Sequence, residues 1–358
     1  MDLEALGWDG DFAGQFAPWS AGGHRPARVT AAHRGGYLVA TGDGELLAQA
    51  TGRLRHLAGP SVADLPAAGD WVALRQGRIH AVLPRRTAVT RRQPGGAAGG
   101  QVLAANVDLV VVMVAPGRDA NPRRLERLLA LAWESGAQPL VVLGRADLCP
   151  DWGTDAATEL ARLAAVAPGV ELLALSCYTG EGVDAVAGRL APGRTGVLLG
   201  SSGVGKSTLV NRLAGRDLLA TGEVRSDGKG RHTTTTRQLV ALAGGGLMID
   251  TPGLRELGLW SGRTAEGEPG TAAAFGDVAA LAAGCRFGDC RHRTEPGCAV
   301  RAALADGSLA ADRFAAWEKL QRELAWAERR ADPLAAAERR RHIRAVTRSL
   351  RAHDLQRD

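Results

Sequence analysis

The sequence predicts a three-part chain: a small N-terminal β-barrel, a doubly wound α/β domain, and a mainly helical C-terminal domain built around a metal. Three observations predict it. About five short alternating segments separated by turn signals occupy residues 27 to 92. Apolar strand-like runs then alternate with helical patterns as far as Asp250. Finally, three of the five cysteines cluster with a histidine near the end of the chain. The boundaries follow as 1–95, 100–275 and 276–358.

The barrel segments are Ala27-Arg-Val-Thr, Tyr37-Leu-Val-Ala, Glu45-Leu-Leu-Ala, Asp70-Trp-Val-Ala-Leu74 and Ile79-His-Ala-Val-Leu83. Gly35-Gly36, Gly42-Asp-Gly44 and Gln76-Gly77 supply the turns. Five strands at this spacing suit an oligonucleotide-binding (OB-type) barrel or a purely structural one. Residues 1 to about 24 carry no clear period and are expected to be partly mobile. Gln93-Pro-Gly-Gly-Ala-Ala-Gly-Gly100 reads as a linker.

In the middle domain, Val107-Asp-Leu-Val-Val-Val-Met-Val114 is a nearly continuous apolar run, as buried parallel strands are. From Asn121-Pro122 to Ser135 the pattern is helical, with Leu125, Leu128, Leu129 and Ala132 on one face. Further on, Gly196-Val-Leu-Leu-Gly200 leads into Gly200-Ser201-Ser202-Gly203-Val204-Gly205-Lys206-Ser207, then into a helical stretch through Thr208 to Ala214. This is a phosphate-binding loop in its required strand–loop–helix context. Its glycines admit backbone N–H groups close to phosphate, and the helix N-terminus adds positive partial charge. Lys206 would reach the β- and γ-phosphates, and the Ser207 hydroxyl would bind Mg²⁺.

The order of the remaining motifs is informative. Upstream of the loop, Gln138-Pro-Leu-Val-Val-Leu143 ends in Gly144-Arg145-Ala146-Asp147, and Glu171-Leu-Leu-Ala-Leu175 runs into Ser176-Cys177-Tyr178-Thr179-Gly180-Glu181-Gly182. Downstream come Gly230-Arg231-His232-Thr233-Thr234-Thr235-Thr236 and Gly246-Leu-Met-Ile-Asp250-Thr251-Pro252-Gly253. Base-reading pieces ahead of the phosphate loop and switch pieces behind it describe a circularly permuted GTPase domain. Permutation is tolerated because domain termini lie at the surface and close together.

Each piece has a chemical task. Asp147 would accept two hydrogen bonds from guanine N1–H and the exocyclic amine, with Ser176 and Cys177 supporting O6 through backbone N–H. Asp250 would hold Mg²⁺ through water, Thr235 or Thr234 would complete the ion's shell, and the Gly253 N–H would bond the γ-phosphate. Leu254 stands where a water-orienting glutamine is common, and leucine cannot hydrogen-bond water. His232 is the candidate to replace it.

Cys285-x-x-x-x-Cys290-x-His292-x-x-x-x-x-Cys298 offers three thiolates and one imidazole, a closed tetrahedral set typical of structural zinc. A long Ala/Arg/Glu/Leu stretch from Ala311 to His353 has helical composition, with Pro333 as an interruption. Its end, Arg339 to His353, holds arginines and no acid, as either a solvated face or a nucleic-acid contact would. The net charge of +6 tilts towards polyanionic partners. No stretch approaches the roughly 18 apolar residues of a membrane span, and the N-terminus resembles no signal peptide. A cytoplasmic, membrane-free monomer is expected.

These phrases, with Ala104-Ala-Asn-Val-Asp108, closely resemble one family over nearly the whole chain: the circularly permuted, ribosome small-subunit-dependent GTPases of bacterial ribosome biogenesis (RsgA-like). The resemblance implies an OB-type barrel, a permuted GTPase core and a zinc domain. It implies binding to the 30S subunit and its 16S rRNA late in maturation, with subunit-stimulated GTP hydrolysis and His232 as a catalytic residue. One departure stands out. The family's Asn-Lys-x-Asp is here Gly144-Arg145-Ala146-Asp147. Arg145 can lie over the base plane as lysine's stem would. Losing the asparagine contact costs on the order of 1 kcal/mol, so weaker nucleotide binding with guanine preference kept by Asp147 is expected. Two alternative readings are a nucleotide-gated rRNA-binding module with little hydrolysis and a P-loop small-molecule kinase.

Overall fold

The computed structural model describes residues 2–33, 35–58, 64–92, 100–219, 237–250 and 274–331. The barrel strands are β1 (Arg25–His33), β2 (Gly36–Thr41), β3 (Gly44–Ala50), β4 (Trp71–Arg75) and β5 (Arg78–Val82). They run in the order β1-β2-β3-β5-β4, and β4 pairs back onto β1, so the sheet closes. All five predicted strands are present. Alternation puts Ala27, Val29, Val39, Val72, Leu74 and Ile79 inside the barrel.

The first residues are ordered rather than mobile. Helix α1 (Gly10–Ser20) starts at Asp9, whose carboxylate accepts from the Asp11 and Phe12 N–H groups. Phe12 and Phe16 lie one turn apart on its buried face, and Trp8 packs on both and edge-on against Trp71 of the barrel at 4.7 Å. Arg86 pairs with Asp9 and Asp11 and lies 4.0 Å over the Phe12 ring. A short helix, α2 (Gly52–Ala58), also escaped the sequence pattern. Strands β6 (Ala88–Arg92) and β7 (Gly100–Ala105) pair with each other on either side of the predicted linker.

The α/β layer contains β8 (Leu109–Val114), α3 (Pro122–Glu134), β9 (Gln138–Leu143), α4 (Ala156–Ala164), β10 (Glu171–Ala174), α5 (Val183–Ala187), β11 (Thr195–Gly200), α6 (Lys206–Ala214), β12 (Gln238–Ala241) and β13 (Leu247–Asp250). Their order in the sheet is β10-β9-β8-β11-β13-β12. All neighbours are parallel except the antiparallel edge pair β12–β13. The predicted α3 face is buried, and Asn121 caps its start with Pro122 in the first turn. One further ladder, Ala31 opposite Gln238, joins β1 to β12, so barrel and α/β sheet are continuous.

Arg28 secures that junction. The residue is 1% exposed. Its guanidinium donates to the carbonyls of Leu6, Gly69 (3.2 Å) and Asn106 (3.2 Å) and to Thr195 Oγ1 (2.9 Å). Four separate segments are thus held by one cation. Burial pushes its pKa down to about 10, which leaves it charged at neutral pH.

The C-terminal part adds α7 (Gly276–Ala283), α8 (Ala299–Asp306) and α9 (Ala311–Ala331). Arg313 of α9 docks it on the α/β layer, donating to Asp277 (2.7 Å), to Glu126 of α3 (3.0 Å) and to the Ala274 carbonyl (3.1 Å). The predicted helix runs to Ala331; Pro333 and the basic segment 339–353 lie outside the described residues. Among the described residues no helix is long and apolar enough to cross a membrane.

Replacing Arg28 with Met would remove the donor to the Leu6 and Asn106 carbonyls and to Thr195 Oγ1, while the Gly69 carbonyl keeps Asn106 Nδ2 at 3.1 Å. Urea unfolding should show a loss of about 3 kcal/mol or more; a loss within error would show that the guanidinium is dispensable. A second expectation concerns Glu134, whose Oε2 is buried without a hydrogen-bond partner. Burial raises its carboxyl from an ordinary value near 4.5 to about 7. The folded state therefore holds a proton that the unfolded chain has released, and stability falls as pH rises between those values. Glu134→Gln should gain roughly 1–3 kcal/mol at pH 8 and almost nothing at pH 4, measured by denaturation at both.

Candidate nucleotide and metal sites

The phosphate loop grows out of β11 at the centre of the sheet, where the C-terminal ends of parallel strands form a ligand crevice. Gly200 has φ 148°, and a Cβ there would sit 2.4 Å from the Met113 carbonyl oxygen, so only glycine fits. Val204 turns inward and is buried with Met113, Val142 and Leu209, which anchors the loop from below. Gly205, at φ 102°, ends the loop and opens α6, putting Lys206, Ser207 and Thr208 in the helix's first turn. Lys206 Nζ donates to the carbonyls of Gly200 (2.9 Å) and Ser201 (2.5 Å). The ammonium would exchange these carbonyls for phosphate oxygens on ligand binding.

Asp250, 6% exposed, ends β13 immediately beside β11. A carboxylate at the end of the strand beside the phosphate loop is chemically suited to a Mg²⁺ ion that accompanies the phosphates. His232, the threonines 233–236 with Thr235 among them, Gly253 and Leu254 lie outside the described residues.

The two turns expected to read the base, after β9 and β10, meet beside the loop. Asp147 is exposed in the turn after β9, and the Ala146 N–H donates to the Leu175 carbonyl (3.0 Å), tying this turn to the one after β10. Arg145 adopts a left-handed backbone, φ 57°, and its Nη1 reaches the Gly203 carbonyl at 3.4 Å. A Cβ on Gly144 would lie 3.0 Å from Met113 Cε and 3.1 Å from the Val204 carbonyl, so this position packs directly on the phosphate loop. Ser176 N–H is donated to the Glu181 carbonyl (2.9 Å), while its Oγ accepts from Tyr178 and Thr179 (3.2 Å each). Ser176 therefore shapes the turn, and Cys177 is the member of the pair placed to offer an N–H. Burial raises the Cys177 thiol pKa, so the side chain stays neutral.

Two contacts escaped the sequence reading. Asp119, in the turn after β8, accepts from Ser201 Oγ, from Arg124 (3.1 Å) and from the Ala115 N–H (3.0 Å). Arg212 of α6 donates to the Cys177 (3.0 Å) and Tyr178 (3.3 Å) carbonyls. A usable signal existed for Asp119: an acid just past a parallel strand points at the ligand edge.

The four predicted metal ligands converge, with all donor atoms within 4.8 Å of one another. Cys285 and Cys298 Sγ are 3.8 Å apart, and His292 Nδ1 is 3.5 Å from each. A tetrahedral zinc with bonds of about 2.3 Å to sulfur requires S–S edges near 3.8 Å, so the donor set and spacing fit that ion. Cys298 also caps α8, its Sγ accepting from the Arg301 N–H (3.4 Å). Glu295 accepts from the N–H groups of Arg291, Arg293 and Thr294, and backbone donors hold its pKa down to about 2. Trp317 and Phe314 of α9 pack on the His292 ring.

Sheet order, phosphate loop and motif order together define a circularly permuted P-loop GTPase. The RsgA GTPase family model matches residues 82–260. A small ribosomal subunit biogenesis GTPase RsgA from Opitutus terrae is 52% identical, covering 95% of both chains. One from Streptomyces coelicolor is 45% identical, covering 96% of this chain and 92% of that protein. The crystal structure of YjeQ from Thermotoga maritima superposes with a TM-score of 0.61 at 25% identity, over 84% of this chain and 99% of that one. YloQ, a circularly permuted GTPase, shares the fold with a TM-score of 0.55 at 22% identity, over 84% and 95% of the respective chains. The chain belongs to the RsgA GTPase family and is a GTP hydrolase.

The four metal ligands share no residue with the phosphate loop, which sets an expectation. Cys290→Ala should lower bound zinc at least severalfold by metal analysis and loosen the C-terminal helices. Affinity for GDP should stay within about twofold, a change below 0.5 kcal/mol. Equal loss of nucleotide binding would contradict a separately stapled C-terminal domain.

Proposed function

We propose that this GTPase acts in late maturation of the small ribosomal subunit, binding the 30S particle and its 16S rRNA as a cytoplasmic monomer and hydrolysing GTP in response. The observation that carries the proposal is the near full-length match to a relative named for small-subunit biogenesis, barrel and cysteine cluster included. The division into 1–95, 100–275 and 276–358 belongs to the same reading.

In it, Gly200 to Thr208 wrap the phosphates, and Lys206 neutralises charge on the β- and γ-groups. Ser207, Asp250 and Thr235 would hold Mg²⁺, which supplies further charge neutralisation when bound. Asp147 selects guanine, Arg145 covers the base plane, and the Ser176–Cys177 turn faces O6. His232 orients the attacking water in place of the side chain that Leu254 lacks, and Gly253 bonds the γ-phosphate. Cys285, Cys290, His292 and Cys298 hold one structural zinc, with no position left for water. Nucleotide state reaches the C-terminal domain because the segment after Asp250 leads directly into it.

Turnover of GTP and of ATP should be measured with and without purified small subunits. Stimulation of GTP hydrolysis by roughly tenfold or more, with none for ATP, is expected. Subunit binding without stimulated turnover would leave a nucleotide-gated RNA-binding module. Phosphate transferred to an added acceptor would indicate a kinase.

A further inference from the structure

We propose that Tyr178 is the aromatic wall of the guanine seat: in the nucleotide-bound protein its ring stacks on the face of the base. The proposal rests on the reading of Asp147 and Cys177 as base contacts and adds the residue that supplies base affinity.

Tyr178 is 88% exposed, the most exposed large side chain among the described apolar and aromatic residues. It directly follows Cys177, yet its backbone is fixed. Its N–H donates to Ser176 Oγ (3.2 Å), and Arg212 donates to the carbonyls of Tyr178 (3.3 Å) and Cys177 (3.0 Å). Arg212 lies on the helix whose first turn carries Lys206 and Ser207. The turn bearing the ring is therefore referenced to the phosphate loop.

An aromatic ring in water on an ordered backbone has apolar area still to bury and little freedom to lose, since two χ angles set it. The neighbouring turn, joined through Ala146 and Leu175, presents Asp147 to the base edge and Arg145 towards the loop. Gly144 brings no side chain to the base at all. A planar purine entering between these turns meets a carboxylate at its edge and a phenol ring beside it. Stacking of this kind favours any purine, because every base has a π-face; Asp147 then supplies the choice of guanine.

The test uses the full chain and isothermal titration with GDP, GTP and ADP. Tyr178→Ala should raise Kd for GDP and GTP alike by about tenfold, equivalent to about 1.4 kcal/mol. Its melting temperature should be unchanged, since the ring packs on little in the free protein. Tyr178→Phe and Tyr178→Trp should stay within about twofold of the parent, and added tryptophan emission in Tyr178→Trp should be quenched by GDP but not by ADP. Unchanged GDP affinity in Tyr178→Ala would overturn the proposal, and loss of subunit-stimulated turnover at that unchanged affinity would assign the ring to a ribosome contact instead. Tyr178→Phe behaving like Tyr178→Ala would overturn it too, because the hydroxyl rather than the ring would then matter. A parent protein that binds neither GDP nor GTP would defeat the nucleotide-site reading itself, and this proposal with it.

Discussion

A buried cation at the seam between two folds sets the frame for everything else. Arg28 sits on a barrel strand, but its donors are spent on the N-terminal segment, on the connection before β8 and on Thr195 at the root of β11. A guanidinium removed from water tolerates few positions, because each N–H left without an acceptor is costly. The barrel is thus held at a defined place relative to the strand that ends in the phosphate loop. The Ala31–Gln238 ladder reinforces the join at the sheet edge. A surface carried by the barrel and a ligand carried by the loop share one rigid reference.

The permuted wiring determines what lies at the other end. Because β8, β9 and β10 precede β11, the turns proposed to read the base come from chain ahead of the loop, and β13 hands the chain on towards the C-terminal domain. The static contacts provide a second connection. Ser201 donates to Asp119, which also accepts from Arg124 near the start of α3, and two residues along that helix Glu126 accepts from Arg313. Glu126 is buried with its carboxyl pKa raised by desolvation, and its Oε2 has no partner in the described structure. Such a pair marks a docked interface more than a source of stability. It places the cysteine–histidine domain against a helix whose Arg124 shares Asp119 with Ser201 of the phosphate loop.

Local patterns were legible wherever one segment suffices to state its own chemistry. Gly200 to Ser207 announces a turn, a close approach and a helix start within eight residues. The spacing of Cys285, Cys290, His292 and Cys298 fixes a donor set because a short loop must bring those side chains together. The parallel strands declared themselves by continuous apolar runs. The N-terminal helix did not: its Phe12 and Phe16 form a weak pattern alone, and they became ordered by packing with Trp8 and Trp71. Ser176 looked like a donor to the base, yet its N–H is committed to Glu181 across a turn whose closure no motif states.

The amino-acid order by itself determined the phosphate loop, the metal ligands, the motif order that marks a permutation and the loss of a side chain at Gly144. Tertiary structure alone decided that Arg28 joins the barrel to Thr195, that Asp119 holds Ser201, and that Arg313 finds Glu126. The partners in those contacts lie 167, 82 and 187 residues apart. At such separations an arginine or aspartate reads as ordinary surface charge. Only the closed barrel and the packed sheet exclude water around it and make a single partner the favourable one.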